Sequence, residues 1–395
     1  MHNVKNKFIL VLVVVFSTQL TAQTSIDSVL FSVSKNNKSI QTAQQFWESQ
    51  GLNFKIGSTL YDPTVNFDYM KGSPVTAGNQ VDFTVTQSFD FPTVYANKKQ
   101  LYETQIGQGN YQIQIMRQNI LLETHLVCIE LIYLNKLNSI LVQRIQHAQK
   151  NYDDYAKKLE KGDGNIIEFN KSKINLFNLQ NELRLNKGEI NGWMQKLTEL
   201  NGGNYIEFRD TLYPFQEELI GFEELEQLSE ITDPYLKNLE QQSLIANQQI
   251  DLNKSLWLPK WETGYHYQAI LGQQFNGVHV GLTIPLWQNK YTVAQSEAES
   301  VFTQTQIDEH RTSHYYEIKF LYENYMSLKL SYHDYLELIS SLSSVEMLEK
   351  AMKSGQITVI EFFMELSSYY VTYDNLLKIE KEYFGVVAKL NKYLL

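Results

Sequence analysis

Glu361 and Glu365 stand one helical turn apart on the same face of a helical stretch near the C-terminus. Two carboxylates so placed concentrate negative charge. Without partners they serve as helix-start glutamates, favoured there by the macrodipole. His310 and His314, at i and i+4, and His125 and Cys128, at i and i+3, have spacings that put two metal-ligand types on one helix face. Neither pair has a third ligand in the pattern, so no metal site and no cofactor is expected. The chain has no nucleophile elbow, no phosphate loop and no acid pair set in a recognisable pocket, which leaves catalysis without support.

The elements that must position these residues repeat. Lys161-Gly162-Asp163-Gly164-Asn165-Ile166-Ile167-Glu168-Phe169 matches Ser354-Gly355-Gln356-Ile357-Thr358-Val359-Ile360-Glu361-Phe362 at an offset of 193 residues, the separation of Gly162 and Gly355. The same offset carries Pro92 onto Pro285, so proline and glycine are equally spaced in both copies. A segment held at one length in two diverged copies points to a structure that spans a fixed distance.

The chain has 395 residues, of which 43% are hydrophobic and 20% charged, so it can bury surface and is not of the disordered type. Lys5 and Lys7, the apolar run Phe8 to Phe16 and the small residues ending at Ala22 have the order of a secretory signal over residues 1–22. The net charge of −10 becomes −12 once those two lysines are removed, and with no basic cluster nucleic-acid binding is excluded. No uninterrupted apolar run reaches the length of a transmembrane helix, so any membrane crossing falls to β-strands. The single cysteine, Cys128, rules out an intrachain disulfide, and no cysteine follows the signal to carry a lipid.

Taken in order, the periodicity divides the exported chain into two repeats, 23–221 and 222–395. The first begins with a helix over Ile26 to Gln50. Strands at about 64–70 and 81–91 follow, in which Val65, Phe67, Tyr69, Val81, Phe83 and Val85 alternate with polar residues. A helical hairpin then runs over about 96–200, reversing at a tip at 162–165. Its first arm, at 1.5 Å per residue, reaches roughly 100 Å, longer than a globular core requires. The second arm carries Leu176, Leu179, Leu183, Ile190, Trp193 and Leu197 at coiled-coil spacings. Residues 201–222 read as an irregular belt. The second repeat has a helix over Phe222 to Leu256 broken at Asp233-Pro234, strands at about 261–270 and 277–284, and a hairpin over about 290–394 with its tip at 353–358.

Four amphipathic strands need cover for their apolar faces. A water-soluble protein would supply it from its own helices. Here the apolar faces are rich in Phe, Tyr and Trp, which suit a lipid-facing wall, and helices so long extend far beyond the strands. A closed membrane barrel needs at least about eight strands, so this chain with four closes one only as an oligomer.

The order helix, β-hairpin, long helix, glycine turn, helix, given twice, resembles the TolC-type outer-membrane efflux protein family. The residues that carry the resemblance are Val278-His279-Val280-Gly281-Leu282-Thr283-Ile284-Pro285-Leu286 and the two glycine turns with their Ile-Glu-Phe, and it covers about residues 25 to 394. It implies a mainly α fold with a transmembrane β-barrel portion: a homotrimer whose hairpins make one twelve-stranded barrel in outer-membrane lipid, continuous with a periplasmic helical barrel. The implied function is passive conduction from an inner-membrane pump, of RND or ABC type, through a periplasmic adaptor (membrane fusion) protein. A type I protein secretion duct is the alternative within that reading; a periplasmic coiled-coil scaffold without a channel is the alternative outside it. The resemblance places Glu361 in an acidic ring at the periplasmic gate. It places Glu365 there with an offset of one residue from the family's second acid. Gly162, Asp163, Gly355 and Gln356 become tip residues that touch the adaptor. Asp68, Asp82, Thr84, Thr86, Glu262, His266 and His279, on the polar strand faces, become the barrel lumen.

Overall fold

The computed structural model describes residues 25–214, 218–342 and 344–395; the signal reading of residues 1–22 lies outside them. The segment expected as one opening helix forms two, α1 (Ile26–Asn36) and α2 (Lys38–Lys55). Asn37 divides them. Its side-chain oxygen accepts from the N–H groups of Ser39 and Ile40, capping α2, while its amide donates to Leu200 O at 2.7 Å. One buried asparagine thus starts a helix and seats it above the end of another.

β1 (Thr64–Lys71) and β2 (Asn79–Phe89) form the first hairpin, and β3 (Lys260–Ile270) and β4 (Gln273–Thr283) the second. The second turn is tighter than the glycines suggest. Only Leu271 and Gly272 lie between the strands, both at positive φ as a two-residue hairpin requires, and β4 therefore begins four residues before Gly277. The hairpins join through β2 and β3 into one antiparallel sheet of order β1-β2-β3-β4. Among the described residues, neither edge strand has a neighbour on its outer side.

α3 (Pro92–Glu160) is one unbroken helix of 69 residues that passes Gly107 and Gly109 without interruption, and it spans about 100 Å. Among the described residues it alone is long and apolar enough to cross a membrane. Its apolar side is core instead: Leu121, Val127, Cys128, Leu131 and Ile132 pack against α1 and the end of α4 (Ile166–Leu200). After the belt come α5 (Phe222–Thr232) and α6 (Pro234–Ser255), separated at Asp233, which caps α6.

The second long arm departs from the first. Pro92 opens α3, but its repeat partner Pro285 is followed by an irregular stretch, and α7 (Thr292–Ser341) begins only after it. The arm expected to be continuous to Met352 also breaks before α8 (Val345–Lys353). Serines explain the second difference. Ser340 and Ser341 hydroxyls bond back to Glu337 O and Leu338 O, and Ser344 caps α8, so the local hydroxyls compete with the helical ladder. α9 (Val359–Leu390) closes the chain with a short 3-10 turn.

Packing follows the duplication. Beneath the sheet the helices lie side by side as α2, α3, α6, α7; at the far end the order is α4, α3, α9, α7. The core is accordingly a string of small clusters and not one globule: α1 with α3 and α4, α3 with α4 and α9, α3 with α6, α6 with α7, and α5 with α7 and α9. Among the described residues, the lateral elements of both orders, α2 and α4 on one side and α7 on the other, have one flank without a packed helix.

Candidate functional site

Strand register puts the four strands in phase. Val65, Val85, Tyr265 and Val278 form one cross-strand row, and Phe89, Trp261 and Leu282 another, all on a single face. That face is exposed: Phe67 is 66% accessible and Val278 81%. At the helix-side end of the sheet Tyr61, Trp261, Trp287 and Tyr291 are exposed as well, a cluster that strand patterning alone does not reveal.

The opposite face collects every residue expected in a lumen. Thr84 Oγ1 lies 2.7 Å from His266 Nδ1, Ser88 Oγ donates to Glu262 Oε2 at 3.1 Å, and Glu262 Oε1 faces His279 Nε2 at 3.0 Å. Asp68 and Asp82 pair directly across β1 and β2, and Gln80 Nε2 donates to Asp82 Oδ2. Thr86 is buried, and a Cβ on Gly264 opposite it would stand 2.2 Å from Val85 O, so only glycine permits this approach of the strands. Thr64, Asn66, Asp68, Thr84 and Glu262 help line a concave space of about 720 Å³ on this face. Ser88, not among the expected residues, belongs to the network.

At the other end of the molecule the two tips are built alike. Gly162 and Gly355 adopt φ of 78° and 75°, with nothing within 4 Å of where a Cβ would stand; backbone conformation and not space selects glycine. In each tip the glycine N–H and the next N–H bond back to carbonyls of the ending helix: Gly162 and Asp163 to Leu159 and Lys158, Gly355 and Gln356 to Met352 and Ala351. Asp163 and Gln356 are exposed to solvent. Asn165 then caps α4 and Thr358 caps α9, again at the repeat offset.

Glu361 sits in the third position of α9 and closes a reciprocal cap: Thr358 N–H donates to its carboxylate at 2.7 Å and its own N–H donates to Thr358 Oγ1. Those hydrogen bonds hold its carboxyl below the ordinary carboxylate range. In the protomer it is thus a capping residue, exposed at the tip like Glu365 one turn on. Because the folded pKa is lowered, its contribution to stability is present above the ordinary glutamate value of about 4.3 and fades as pH falls through the lowered one. Chemical unfolding across pH 3 to 7 is expected to show this limb in the native protein, and Glu361→Gln or Thr358→Ala is expected to flatten it.

The long helices carry a polar seam that spacing did not single out. Arg144 on α3, nearly buried, forks onto Asp374 on α9 at 3.1 and 2.7 Å and lies 4.2 Å over the Tyr370 ring. Glu182 beside it is held above the ordinary carboxylate range, first by desolvation and then by the Asp374 charge. Lys136 reaches Glu380 at 2.6 Å, Lys381 reaches Glu130 at 3.1 Å, and His147 Nδ1 stands 3.2 Å from Glu349 on α8.

The histidine pairs serve packing. His310 Nε2 is 2.6 Å from Asp233 and His314 Nε2 is 3.2 Å from Ser229, both joining α7 to the α5–α6 junction. Burial pushes the His125 imidazole down and the Cys128 thiol up, leaving both neutral. Among the described residues no three His, Cys, Asp or Glu side chains converge as a metal site.

No protein-family model matches the chain, and no curated protein matches it in sequence. Its fold does have solved counterparts. CusC, described for its transmembrane channel formation, superposes with a TM-score of 0.79 at 12% identity over 94% of this chain and 92% of its own. The outer membrane protein VceC of Vibrio cholerae gives 0.77 at 12% identity, covering 93% and 95%. The outer membrane channel CmeC of Campylobacter jejuni gives 0.72 at 12% identity, covering 93% and 85%. This chain therefore has the fold of these outer-membrane channel proteins.

Proposed function

We propose that this chain is one subunit of an outer-membrane duct that extends into the periplasm and conducts substrates outward, without catalysis, as the last component of a tripartite efflux system. The observation that carries the reading is the open four-stranded sheet, apolar and aromatic on its exposed face, polar on the other, with both edges unpaired. Left in water, that face would be an aggregation surface. In a membrane it is a wall whose aromatic rows sit at the interface. Pairing the β4 edge of one copy with the β1 edge of the next closes the sheet, and three copies make a twelve-stranded barrel with Asp68, Asp82, Thr84, Glu262, His266 and His279 toward the lumen. The same rotation brings α7 beside the next copy's α2 and α4, closing a helical tunnel.

At the tunnel end, Glu361 and Glu365 from three copies make the acidic gate, and the tips at Gly162, Asp163, Gly355 and Gln356 meet a periplasmic adaptor that brings an inner-membrane pump. Single-channel recording in a planar bilayer tests the reading. Discrete cation-selective steps are expected, with selectivity reduced by Glu361→Gln/Glu365→Gln. Folded, inserted protein without conductance steps would refute the duct.

A further inference from the structure

The helical part holds a cavity that neither the strand network nor the tips account for. α3, α4, α7 and α9 together border a space of about 550 Å³, inside the roughly 300–1,000 Å³ range of small-molecule sites. Its floor is apolar, made by Leu126, Val127 and Ile129 of α3, Leu328 of α7 and Val386 of α9, and the partly exposed Trp193 indole of α4 forms one side. Gly385 keeps it open. This glycine lies inside α9, where only proline is less favourable, and it has nothing within 4 Å of where its Cβ would stand. Neither a positive φ nor packing within the protomer selects it, and the side chain it lacks would narrow the cavity.

The rim is charged. Glu123, Glu130 and Glu382 stand there with Lys381 and Lys389. A second space of about 640 Å³ adjoins the first at Lys389, further along α3, and adds Asp233, Glu309, Glu317 and Lys392. Three of these acids are already answered: Glu123 by Lys196, Glu130 by Lys381 and Asp233 by His310. Among the described residues, Glu309, Glu317 and Glu382 make no ion pair, against two lysines equally free, Lys389 and Lys392. The surplus is negative, in a chain whose net charge is −10. An apolar floor, an indole face and a free carboxylate together suit an organic cation. The floor takes its hydrocarbon out of water, and the ring quadrupole and the carboxylate attract its charge.

We propose that this cavity is a binding site for apolar organic cations, with the hydrocarbon against the floor and Trp193 and the charge toward Glu382. Its walls come from one protomer; that it faces the passage rests on the duct reading. The belt packs on the other side of these helices, where the Asn135 amide of α3 donates to Phe208 O and Asp210 O and Phe384 of α9 stacks on Tyr213. Leu126 and Glu382 lie about half a turn around their helices from Asn135 and Phe384. A belt inside a duct would obstruct it, so the belt lies outside and the cavity opens on the tunnel.

The test uses the full chain in lipid nanodiscs. Equilibrium dialysis compares tetraphenylphosphonium with tetraphenylborate, an anion of nearly the same shape and apolar surface, and uptake by protein-free discs is subtracted. Saturable binding of the phosphonium to each chain is expected, with the borate about tenfold weaker. Gly385→Leu fills the cavity with a good helix former and is expected to weaken phosphonium binding about tenfold. Trp193→Leu is expected to weaken it about threefold, the size of a cation–π contact at a partly exposed site, and Glu382→Gln to narrow the preference for phosphonium over borate. No saturable phosphonium binding, equal binding of the borate, or undiminished binding to Gly385→Leu overturns the site. Conductance reads the duct separately. Phosphonium binding without conductance steps keeps the site and refutes the duct; conductance steps without binding keep the duct and refute the site.

Discussion

Val278→Arg is expected to cut membrane insertion sharply while leaving the secondary structure in place. Val278 stands mid-strand in β4, is 81% exposed, and shares a cross-strand row with Val65, Val85 and Tyr265. An arginine on a lipid-facing barrel wall costs about 2–4 kcal/mol at the bilayer midplane, and in an oligomer every copy bears it. Thr84→Arg is the control. Thr84 lies on the opposite face of the same sheet, against His266, so in the proposed barrel its arginine would point into the lumen and meet water. Insertion should survive there, with cation conductance reduced by the added positive charge. Liposome flotation separates the two variants. Equal insertion of both would mean that the apolar face does not meet lipid.

Arg144→Met is expected to destabilise the helical part by about 3 kcal/mol, near the lower end for breaking a buried ion pair because Asp374 keeps some exposure. The guanidinium leaves three hydrogen bonds, two to Asp374 and one to Tyr370 O, and the face of the Tyr370 ring behind. It also leaves the Asp374 and Glu182 charges to be offset by Lys378 without the guanidinium, and Glu182 already binds its proton more tightly than usual, first through desolvation and then through the Asp374 charge. Calorimetric or urea unfolding in detergent reads the loss, and Asp374→Asn added to Arg144→Met should recover part of it by removing the unpaired charge. No recovery would indicate that Arg144 acts through packing alone.

Sequence and structure divided the work unevenly. Alternation was sufficient for the faces of the strands, because a residue's face depends only on its parity along the strand, while the glycines misplaced the second turn and the start of β4. The glycine tips were legible for a similar local reason: positive φ at a helix end selects glycine wherever it occurs. The helix breaks were less legible. Asn37 interrupts an apolar periodicity that runs on through it, and its role depends on Leu200, far away in sequence. The same holds at Ser340 to Ser344, where equal spacing from proline to glycine suggested equal helices and the hydroxyls decided otherwise. Glu361 had a local signal as well: Thr358 three residues before it makes the Thr-x-x-Glu pattern of a reciprocal cap, which the structure forms.

What the sequence determined by itself was therefore periodic and local: the duplication, the four two-faced strands, the helical arms and their reversals. Register, which pairs Asp68 with Asp82 and sets Phe89 beside Trp261, was decided by tertiary structure. So was the seam of Arg144, Lys136 and Lys381, since long charged side chains on a helix give the same pattern whether they meet solvent or a partner a hundred or more residues away. The physical reason is that periodicity specifies which face a residue occupies, while only the folded chain specifies what stands opposite.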